Sequence, residues 1–228
     1  MFNDFISIIF PELCCACGRV IRKGEECICS YCSYHLPKTG FHLDDDNQLS
    51  RLFWGRTTLN SVAAFYYFNK STKVQELIHQ LKYKGKKEIG LKIGELYGNE
   101  LKTSGLFKDI DVIIPVPLHF SKEKKRGYNQ SNIFAEGIAK SLNKEVDISV
   151  LSRKYASETQ TRKSRYNRWQ NVSEIFSLND EYLKFKGFHV LLVDDVITTG
   201  STIEACANTL FKIPEIKLSV AAMAFAYA

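Results

Sequence analysis

Residues 190–202 read Val-Leu-Leu-Val-Asp-Asp-Val-Ile-Thr-Thr-Gly-Ser-Thr, an apolar run that becomes polar within two residues. The four apolar residues from Val190 to Val193 are typical of a strand that is buried on both faces of a parallel sheet. Asp194 and Asp195 follow, where that strand is predicted to end. Open α/β sheets bind ligands at this edge, so we predict a ligand site at the acid pair.

A turn rich in hydroxyl groups comes next, and residues 202–211 are predicted to continue as a helix with one apolar face. Free N–H groups at a helix N-terminus, the positive end of the helix dipole and nearby hydroxyls suit a phosphate dianion. A ligand that used both parts would carry a phosphate close to a vicinal diol, as a ribose 5-phosphate does. The predicted contacts are Asp194, Asp195, Thr198, Thr199, Gly200, Ser201 and Thr202.

The residue order of this stretch resembles the 5-phosphoribosyl-1-pyrophosphate (PRPP) motif of type I phosphoribosyltransferases. The alternative is a plain strand-to-helix connection that carries a solvated acid pair. We favour the ligand site because two adjacent carboxylates beside an apolar run repel each other unless a ligand or hydrogen-bond donors hold them.

Length and composition suit a cytosolic protein with one ordinary domain and a small appendage. The 228 residues, of which 45% are hydrophobic, are enough to bury a core. No apolar run reaches the length of about eighteen residues that a membrane span needs. The segment Met1 to Phe10 has no basic leader and contains Asp4, so it is not expected to be a signal peptide.

The net charge of +6 is unevenly distributed, since basic residues concentrate in 82–92, 122–126 and 153–168. Such runs are usually solvated surfaces. Two of the three lie in predicted loops near the acid pair, however, where they would attract pyrophosphate or nucleic acid.

Six of the seven cysteines lie between positions 14 and 32, where they include two C-x2-C pairs. In a cytosolic chain this spacing indicates a metal site, because disulfides would be reduced there, whereas four thiolates give a closed tetrahedral zinc site. We predict a structural zinc. The predicted ligands are Cys14, Cys17, Cys29 and Cys32; Cys15 and Cys27 can form part of an alternative set, and His35 or His42 can substitute.

The division of the chain is predicted to be a zinc ribbon (1–36), a linker or loosely packed cover (37–60) and an α/β domain (61–228). Alternating strands and helices in the last part favour a three-layer fold with a mainly parallel sheet. Strands are predicted over 61–68, 111–116, 146–151, 190–193 and 216–226, helices over 72–84, 87–101, 129–143 and 202–211, and loops at 119–126 and 152–173.

Nearly the whole chain resembles the ComF family, which combines a zinc ribbon with a phosphoribosyltransferase-like module and is associated with bacterial competence. One departure is residues 156–159, Ala-Ser-Glu-Thr, which replace the family's usual Thr-x-Pro approach to Gln160. The resemblance rests on the paired cysteines, on residues 77–85 (LIHQLKYKG), 115–119 (PVPLH) and 126–130 (RGYNQ), on Gln160 spaced with Arg168, Asn171, Val172 and Phe176, and on residues 190–202.

This resemblance implies a type I phosphoribosyltransferase-like fold and assigns roles in the binding of PRPP with Mg²⁺. Asp194 and Asp195 are expected to accept hydrogen bonds from ribose hydroxyls, while Mg²⁺ belongs on the pyrophosphate. Residues 153–171 correspond to a flexible loop that closes over the substrate. The implied pyrophosphate loop contains Pro115, Val116 and Pro117, and the implied catalytic residues are Arg126, Gln160 and Arg168.

Two functional hypotheses follow from the resemblance. The first is a phosphoribosyltransferase that transfers phosphoribose from Mg–PRPP to an acceptor and is linked to DNA uptake. The second is a non-catalytic protein that senses PRPP or a nucleotide, or that binds single-stranded DNA and competence proteins. Tyr128, Tyr166 and Trp169 lie among the basic residues and can either stack on bases or pack inside the protein. A purine-salvage enzyme ranks lower, since nothing in the sequence identifies a base pocket.

Overall fold

The computed structural model of the chain describes residues 11–154 and 175–226. Its centre is a five-stranded sheet with the order β1-β7-β6-β2-β3, in which every strand pairing is parallel. A separate antiparallel pair is formed by β4 and β5. The strands are β1 (Val62–Phe68), β2 (Val112–Pro115), β3 (Glu145–Val146), β4 (Leu151–Arg153), β5 (Phe176–Leu178), β6 (His189–Ile197) and β7 (Lys217–Ala226).

Seven α-helices and three short 3-10 helices accompany these strands in the described ranges. No helix in them combines the length and the apolar character that a bilayer crossing requires. The 3-10 helices are Phe41–Leu43, Gly105–Phe107 and Tyr182–Phe185. The α-helices are α1 (Ser30–His35), α2 (Gln48–Arg51), α3 (Lys73–Tyr83), α4 (Lys87–Thr103), α5 (Phe120–Arg126), α6 (Gln130–Leu142) and α7 (Ser201–Leu210).

The chain leaves the ends of β2 and β6 in opposite directions. From β2 it passes through α6 to β3 on one side, and from β6 it passes through α7 to β7 on the other. Because such crossovers are right-handed, α6 and α7 lie on opposite faces of the sheet, which gives the three predicted layers. The crevice between β2 and β6 is therefore a topological switch point, the usual ligand site of such sheets.

The two central strands are covered on both faces, as the apolar run predicts. Val190 to Val193 of β6 and Leu218 to Ala224 of β7 are inaccessible to solvent. The prediction that β6 ends at the acid pair was wrong, because β6 stays paired with β7 as far as Ile197. Its pairing with β2 stops at Val193, so the acids lie beyond the end of the neighbouring strand.

Two further predictions about local structure need correction. The segment 119–126 is not a loop but contains α5, which His119 caps by accepting a hydrogen bond from the Ser121 N–H at 3.2 Å. The predicted strand 146–151 is divided between β3 and β4. It breaks because the Asp147 side chain accepts hydrogen bonds at 2.8 Å from the N–H groups of Ser149 and Val150, which bends the chain.

Residues 37–60 cover the sheet more tightly than the predicted loose cover would. Leu49 is inaccessible to solvent and Phe53 is 1% exposed. Asn47 fixes the segment, since its carbonyl oxygen caps α2 and its amide donates to the Val62 carbonyl of β1 at 2.8 Å. The segment is thus packed against the sheet, while the domain boundaries at 36 and 60 stay predictions.

Candidate functional site

A cleft of about 190 Å³ opens at the switch point between β2 and β6. Val116 and Pro117, directly after β2, line one side, and Asp194 and Asp195 of β6 line the other. A smaller hollow of about 30 Å³ adjoins it over the turn 198–202. The two spaces share Asp194, Val196 and Thr202, so one ligand can extend through both.

Asp194 is held at the junction of the two spaces by two donors. One of its oxygens accepts a hydrogen bond from the Ser131 hydroxyl of α6 at 3.1 Å and another from the Asp195 N–H at 2.8 Å. Burial, followed by the charge of Asp195, raises the pKa of Asp194 to about 7. The carboxyl group can accept hydrogen bonds from ligand hydroxyls, and it does so best above that pH.

The substitution Asp194→Asn is expected to stabilise the protein, and the gain should grow by about 2 kcal/mol between pH 5 and pH 8. The native carboxyl group retains its proton up to about pH 7. The unfolded chain releases that proton near pH 4. Wild-type stability therefore falls as the pH rises between these values, whereas neutral asparagine suffers no such loss.

Urea unfolding at several pH values measures this difference, with Asp180→Asn at an exposed position as the control. A difference between wild type and Asp194→Asn that is independent of pH would contradict the raised pKa.

The turn 198–202 presents the N-terminus of α7 to the smaller hollow. Gly200 is the N-cap residue with φ of +75°, and no side chain caps the first N–H groups of α7. These donors are therefore directed at the hollow without a partner from a capping side chain. The hydroxyls of Thr199 and Ser201 lie 3.1 Å apart beside them. Backbone donors, hydroxyls and the helix dipole together make this hollow suitable for a phosphate group.

Residues from the segment 37–60 support this turn from behind. A Cβ atom on Gly200 would lie 2.8 Å from Cε1 of Phe53, so only glycine fits against that ring. Arg56 donates to the Thr199 carbonyl at 3.0 Å and pairs with Glu204 in the first turn of α7. No motif or periodicity in the sequence marks Phe53 or Arg56 for these roles.

Basic side chains face the acid pair across the cleft. Lys82 of α3 brings its Nζ atom to 2.7 Å from Oδ2 of Asp195. Arg126, predicted from the resemblance to be catalytic, lines the same cleft and is fixed by a hydrogen bond of 2.7 Å to the Gln130 side chain. The basic residues of the lining are Lys82, Lys122, Arg126 and Arg153, a set that suits a multiply charged anion.

The side of the cleft beside β2 is fixed by the start of α6. Pro115 remains in β2, paired with Val193, whereas Val116 and Pro117 reach the cleft. The Asn129 side chain caps α6 and donates to the Val116 carbonyl at 2.9 Å. The predicted pyrophosphate loop therefore contributes Val116 and Pro117 to the lining, and Pro115 supports them.

Several predicted residues do not reach the site or lie outside the described residues. Tyr128 is buried, and its hydroxyl donates to the Leu81 carbonyl, so its ring has no face free for a nucleic-acid base. Of the two alternatives for Tyr128, base stacking or packing inside the protein, the structure thus shows the second. The remaining predicted residues lie outside the described part of the chain: Gln160, Tyr166, Arg168, Trp169, Asn171, Val172 and most of the predicted closing loop 153–171.

The cysteine-rich segment brings together the four predicted ligands. The Sγ atoms of Cys14, Cys17, Cys29 and Cys32 lie within 4.8 Å of one another, and those of Cys17 and Cys29 are 3.8 Å apart. A tetrahedral zinc with bonds of about 2.3 Å to sulfur requires sulfur separations of about 3.8 Å. The four sulfurs can thus hold a metal such as zinc. We call the described residues 11–36 the cysteine ribbon.

Backbone N–H groups surround the sulfur of Cys14. Burial raises the pKa of Cys14, but hydrogen bonds from the backbone N–H groups of Cys29, Ala16 and Cys17 lower it to about 7 overall. The alternative ligands considered above do not join the cluster of four sulfurs. Instead, Cys15 accepts from Lys86 at 3.3 Å and Cys27 donates to the Glu88 carbonyl at 3.4 Å.

Comparison with known proteins agrees with this architecture. Residues 129–226 match the model of the phosphoribosyl transferase domain. DNA utilization protein YhgH of Escherichia coli K12 is 32% identical over 89% of this chain and 92% of its own. Competence protein F of Haemophilus influenzae is 36% identical over 45% of each chain, and competence protein ComFC of Bacillus subtilis is 24% identical over 88% of this chain and 78% of its own.

A parallel sheet with its cleft at the switch point, together with the matched domain, defines this protein as a phosphoribosyltransferase-like α/β protein that carries an N-terminal cysteine ribbon. Its similarity to YhgH extends over nearly the full length of both chains. The chain belongs to the ComF family.

Proposed function

We propose that the cleft binds PRPP together with Mg²⁺. One observation carries the proposal: the hollow over the turn 198–202, which suits a phosphate group, joins the cleft at Asp194 and Thr202. The cleft contains two acids and four basic side chains. The 5-phosphate would occupy the turn 198–202, and the ribose hydroxyls would donate to Asp194 and Asp195. The pyrophosphate would lie toward Pro117 and Arg126.

We further propose that the protein transfers the phosphoribosyl group. In that reaction the bond from ribose C1 to the pyrophosphate oxygen breaks, its electron pair leaves with the pyrophosphate, and an acceptor forms the new bond to C1. Positive charge develops on the ribose as in glycoside hydrolysis, while negative charge builds up on the departing pyrophosphate and must be neutralised by the enzyme. When bound, Mg²⁺ supplies Lewis-acid stabilisation of that group. Arg126, Gln160 and Arg168 are the proposed catalytic residues.

Titration calorimetry with PRPP and Mg²⁺ tests the binding. The double variant Asp194→Ala with Asp195→Ala is expected to lose at least about a hundredfold in affinity, because two hydrogen-bonding carboxylates are removed at once. Asp44→Ala with Asp45→Ala removes an exposed pair of adjacent acids and is the matched control. Undiminished binding by the variant at 194 and 195 would rule out the proposed site. Pyrophosphate release from PRPP with candidate acceptors, including DNA ends and free bases, tests transfer.

A role in DNA uptake is the second part of the proposal. It is supported by the names of the relatives, which refer to DNA utilization and to competence. The exposed ring of Phe120 stands beside the basic residues of α5, an arrangement that suits single-stranded DNA. On this account the protein acts in the cytoplasm with competence proteins. A non-catalytic form of the role, in which PRPP or a nucleotide is only sensed, is the alternative.

Fluorescence anisotropy with labelled single-stranded DNA tests this second part. The affinity is expected to fall steeply as salt is raised, since contacts to phosphates release counterions. A flat signal at low salt would count against DNA binding without affecting the PRPP site.

The cysteine ribbon is proposed to hold a structural zinc through Cys14, Cys17, Cys29 and Cys32. The four sulfurs form a closed set, and three of them are buried, so the metal would stabilise the fold and take no part in chemistry. A segment of this size has little core of its own, and the metal would supply most of its folding free energy.

A further inference from the structure

Lys82 reaches the cleft from a part of the chain that the matched domain, residues 129–226, does not include. It lies in the last turn of α3, and its Nζ atom is 2.7 Å from Oδ2 of Asp195. Its side chain remains 20% exposed and lines the same cleft as Asp194 and Asp195. An ammonium group in this place neutralises part of the acid pair and still borders the space for a ligand.

The last turn of α3 is anchored on the side that faces away from the cleft. Gln80 is 7% exposed, and its amide donates to the Cys15 carbonyl of the cysteine ribbon at 2.8 Å. Residues two apart on a helix point about 200° apart, so Gln80 and Lys82 project from opposite faces. One face of this helical turn thus contacts the ribbon through Gln80, while the opposite face lines the cleft through Lys82.

Further contacts hold the ribbon against the connection between α3 and α4. Lys86 contacts the Cys15 sulfur at 3.3 Å, and Cys27 donates to the Glu88 carbonyl at 3.4 Å. Lys92 pairs with Glu26 at 2.8 Å. The ribbon therefore fixes the end of α3 and the start of α4, which are the elements that set the position of Lys82.

We propose that Lys82 is a binding residue for the anionic ligand of the cleft and that the cysteine ribbon positions it through Gln80. This inference rests on the proposed PRPP site and gives the ribbon a part in it. In the free protein Asp195 holds the ammonium group in place. When ribose hydroxyls donate to the acid pair, the ammonium supplies positive charge to the phosphate oxygens of the ligand.

Calorimetry with PRPP and Mg²⁺, and separately with inorganic pyrophosphate and Mg²⁺, tests the role of Lys82. Lys82→Met is expected to weaken binding of both probes by about tenfold or more, and Lys82→Arg by less, because it keeps the charge. Lys84→Met is the matched control, because Lys84, the C-cap residue of α3, pairs with Glu76 of that helix and does not line the cleft. It should bind like the wild type.

A variant that removes only the charge of Asp195 distinguishes two roles of Lys82. Lys82 could contact the ligand, or it could merely neutralise the charge of Asp195. If Lys82 merely offsets Asp195, then adding Asp195→Asn to Lys82→Met would restore the binding of inorganic pyrophosphate with Mg²⁺, a probe that has no ribose hydroxyl for Asp195 to hold. We expect no restoration, since the ligand itself needs the ammonium group. Restored binding, or Lys82→Met that binds as tightly as the wild type, would overturn the inference.

The positioning role of Gln80 has its own test. Gln80→Met should weaken ligand binding about threefold to tenfold in the wild-type background and have little effect when Lys82 is already methionine, because Gln80 acts through Lys82. Without any ligand, amide hydrogen exchange over residues 77–86 should be faster in Gln80→Met, while the zinc content of the protein is unchanged. Fully additive effects of the two substitutions would overturn the positioning role.

The two probes also separate this inference from the proposed function. A wild type that binds pyrophosphate but not PRPP would contradict the proposed function, and the pyrophosphate series would still decide the role of Lys82. Binding of neither probe by the wild type would overturn both.

Discussion

Replacing Cys29 by serine is expected to empty the sulfur cluster of metal and to unfold the cysteine ribbon. Cys29 contacts two other members of the cluster, since its sulfur is 3.8 Å from that of Cys17 and its N–H donates to the Cys14 sulfur at 3.3 Å. Structural zinc sites of this kind contribute about 10–16 kcal/mol of apparent binding free energy, which is folding free energy for so small a segment. Zinc content by mass spectrometry and hydrogen exchange over residues 11–36 measure the loss.

Cys27→Ser is the matched control for this experiment. Cys27 is two residues away and lies outside the cluster, and its thiol donates to the Glu88 carbonyl, a contact that serine can keep. Burial raises the pKa of its thiol to about 12, as expected for a cysteine that remains protonated. One zinc per chain should remain in this variant. Full zinc content in Cys29→Ser, or its loss in Cys27→Ser, would show that the ligand set is different.

The buried strand, the turn 198–202 and the helix that follows could be predicted from the sequence because these parts are adjacent in the chain. Residues 190–202 contain the buried strand, the acid pair, the hydroxyls and the helix start, and each has a local signature. The end of β6 could not be predicted in the same way. It depends on where β7 stops pairing, and β7 continues alongside as far as Ala226.

The supporting residues of the site could not be predicted, because their partners are distant in sequence. Arg56 donates to Thr199 across 143 residues, and nothing in the local pattern around Arg56 announces that contact. Lys82 lies in a stretch that the family resemblance singled out, so the sequence marked its neighbourhood without giving its role. A long-range ion pair such as that of Lys82 with Asp195 becomes visible only when α3 is placed beside β6.

The glycine spacing of α4 is visible in the sequence, whereas the helix that packs against these glycines is not. Glycines at 90, 94 and 98 recur every four residues, which indicates that another element packs closely along that face. The structure confirms this and identifies the element as α6, where Gly137 faces Gly94. No periodicity marks Gly137, since it is the only glycine in its helix.

Replacing Gly137 by alanine is expected to lower the free energy of unfolding by about 3 kcal/mol. The added Cβ atom would lie 2.8 Å from Cα of Gly94 and 2.9 Å from N of Glu95, and closer still to the carbonyl oxygen of Leu91. Backbone atoms cannot turn aside as a flexible side chain can, so α4 and α6 must move apart. The midpoint of urea unfolding measures the cost.

Gly105→Ala is the control, because its added Cβ would meet only the Lys108 side chain at an ordinary contact distance of 3.6 Å. Its stability should stay within about 0.5 kcal/mol of the wild type. Stability of Gly137→Ala equal to that of the wild type would mean that the helices are not in close contact.

Gly137→Ala should also weaken PRPP binding, because α6 carries Ser131, which donates to Asp194, and Asn129, which donates to the Val116 carbonyl. The close packing of α4 and α6 thus sets the positions of Val116 and Asp194, which line the two sides of the cleft.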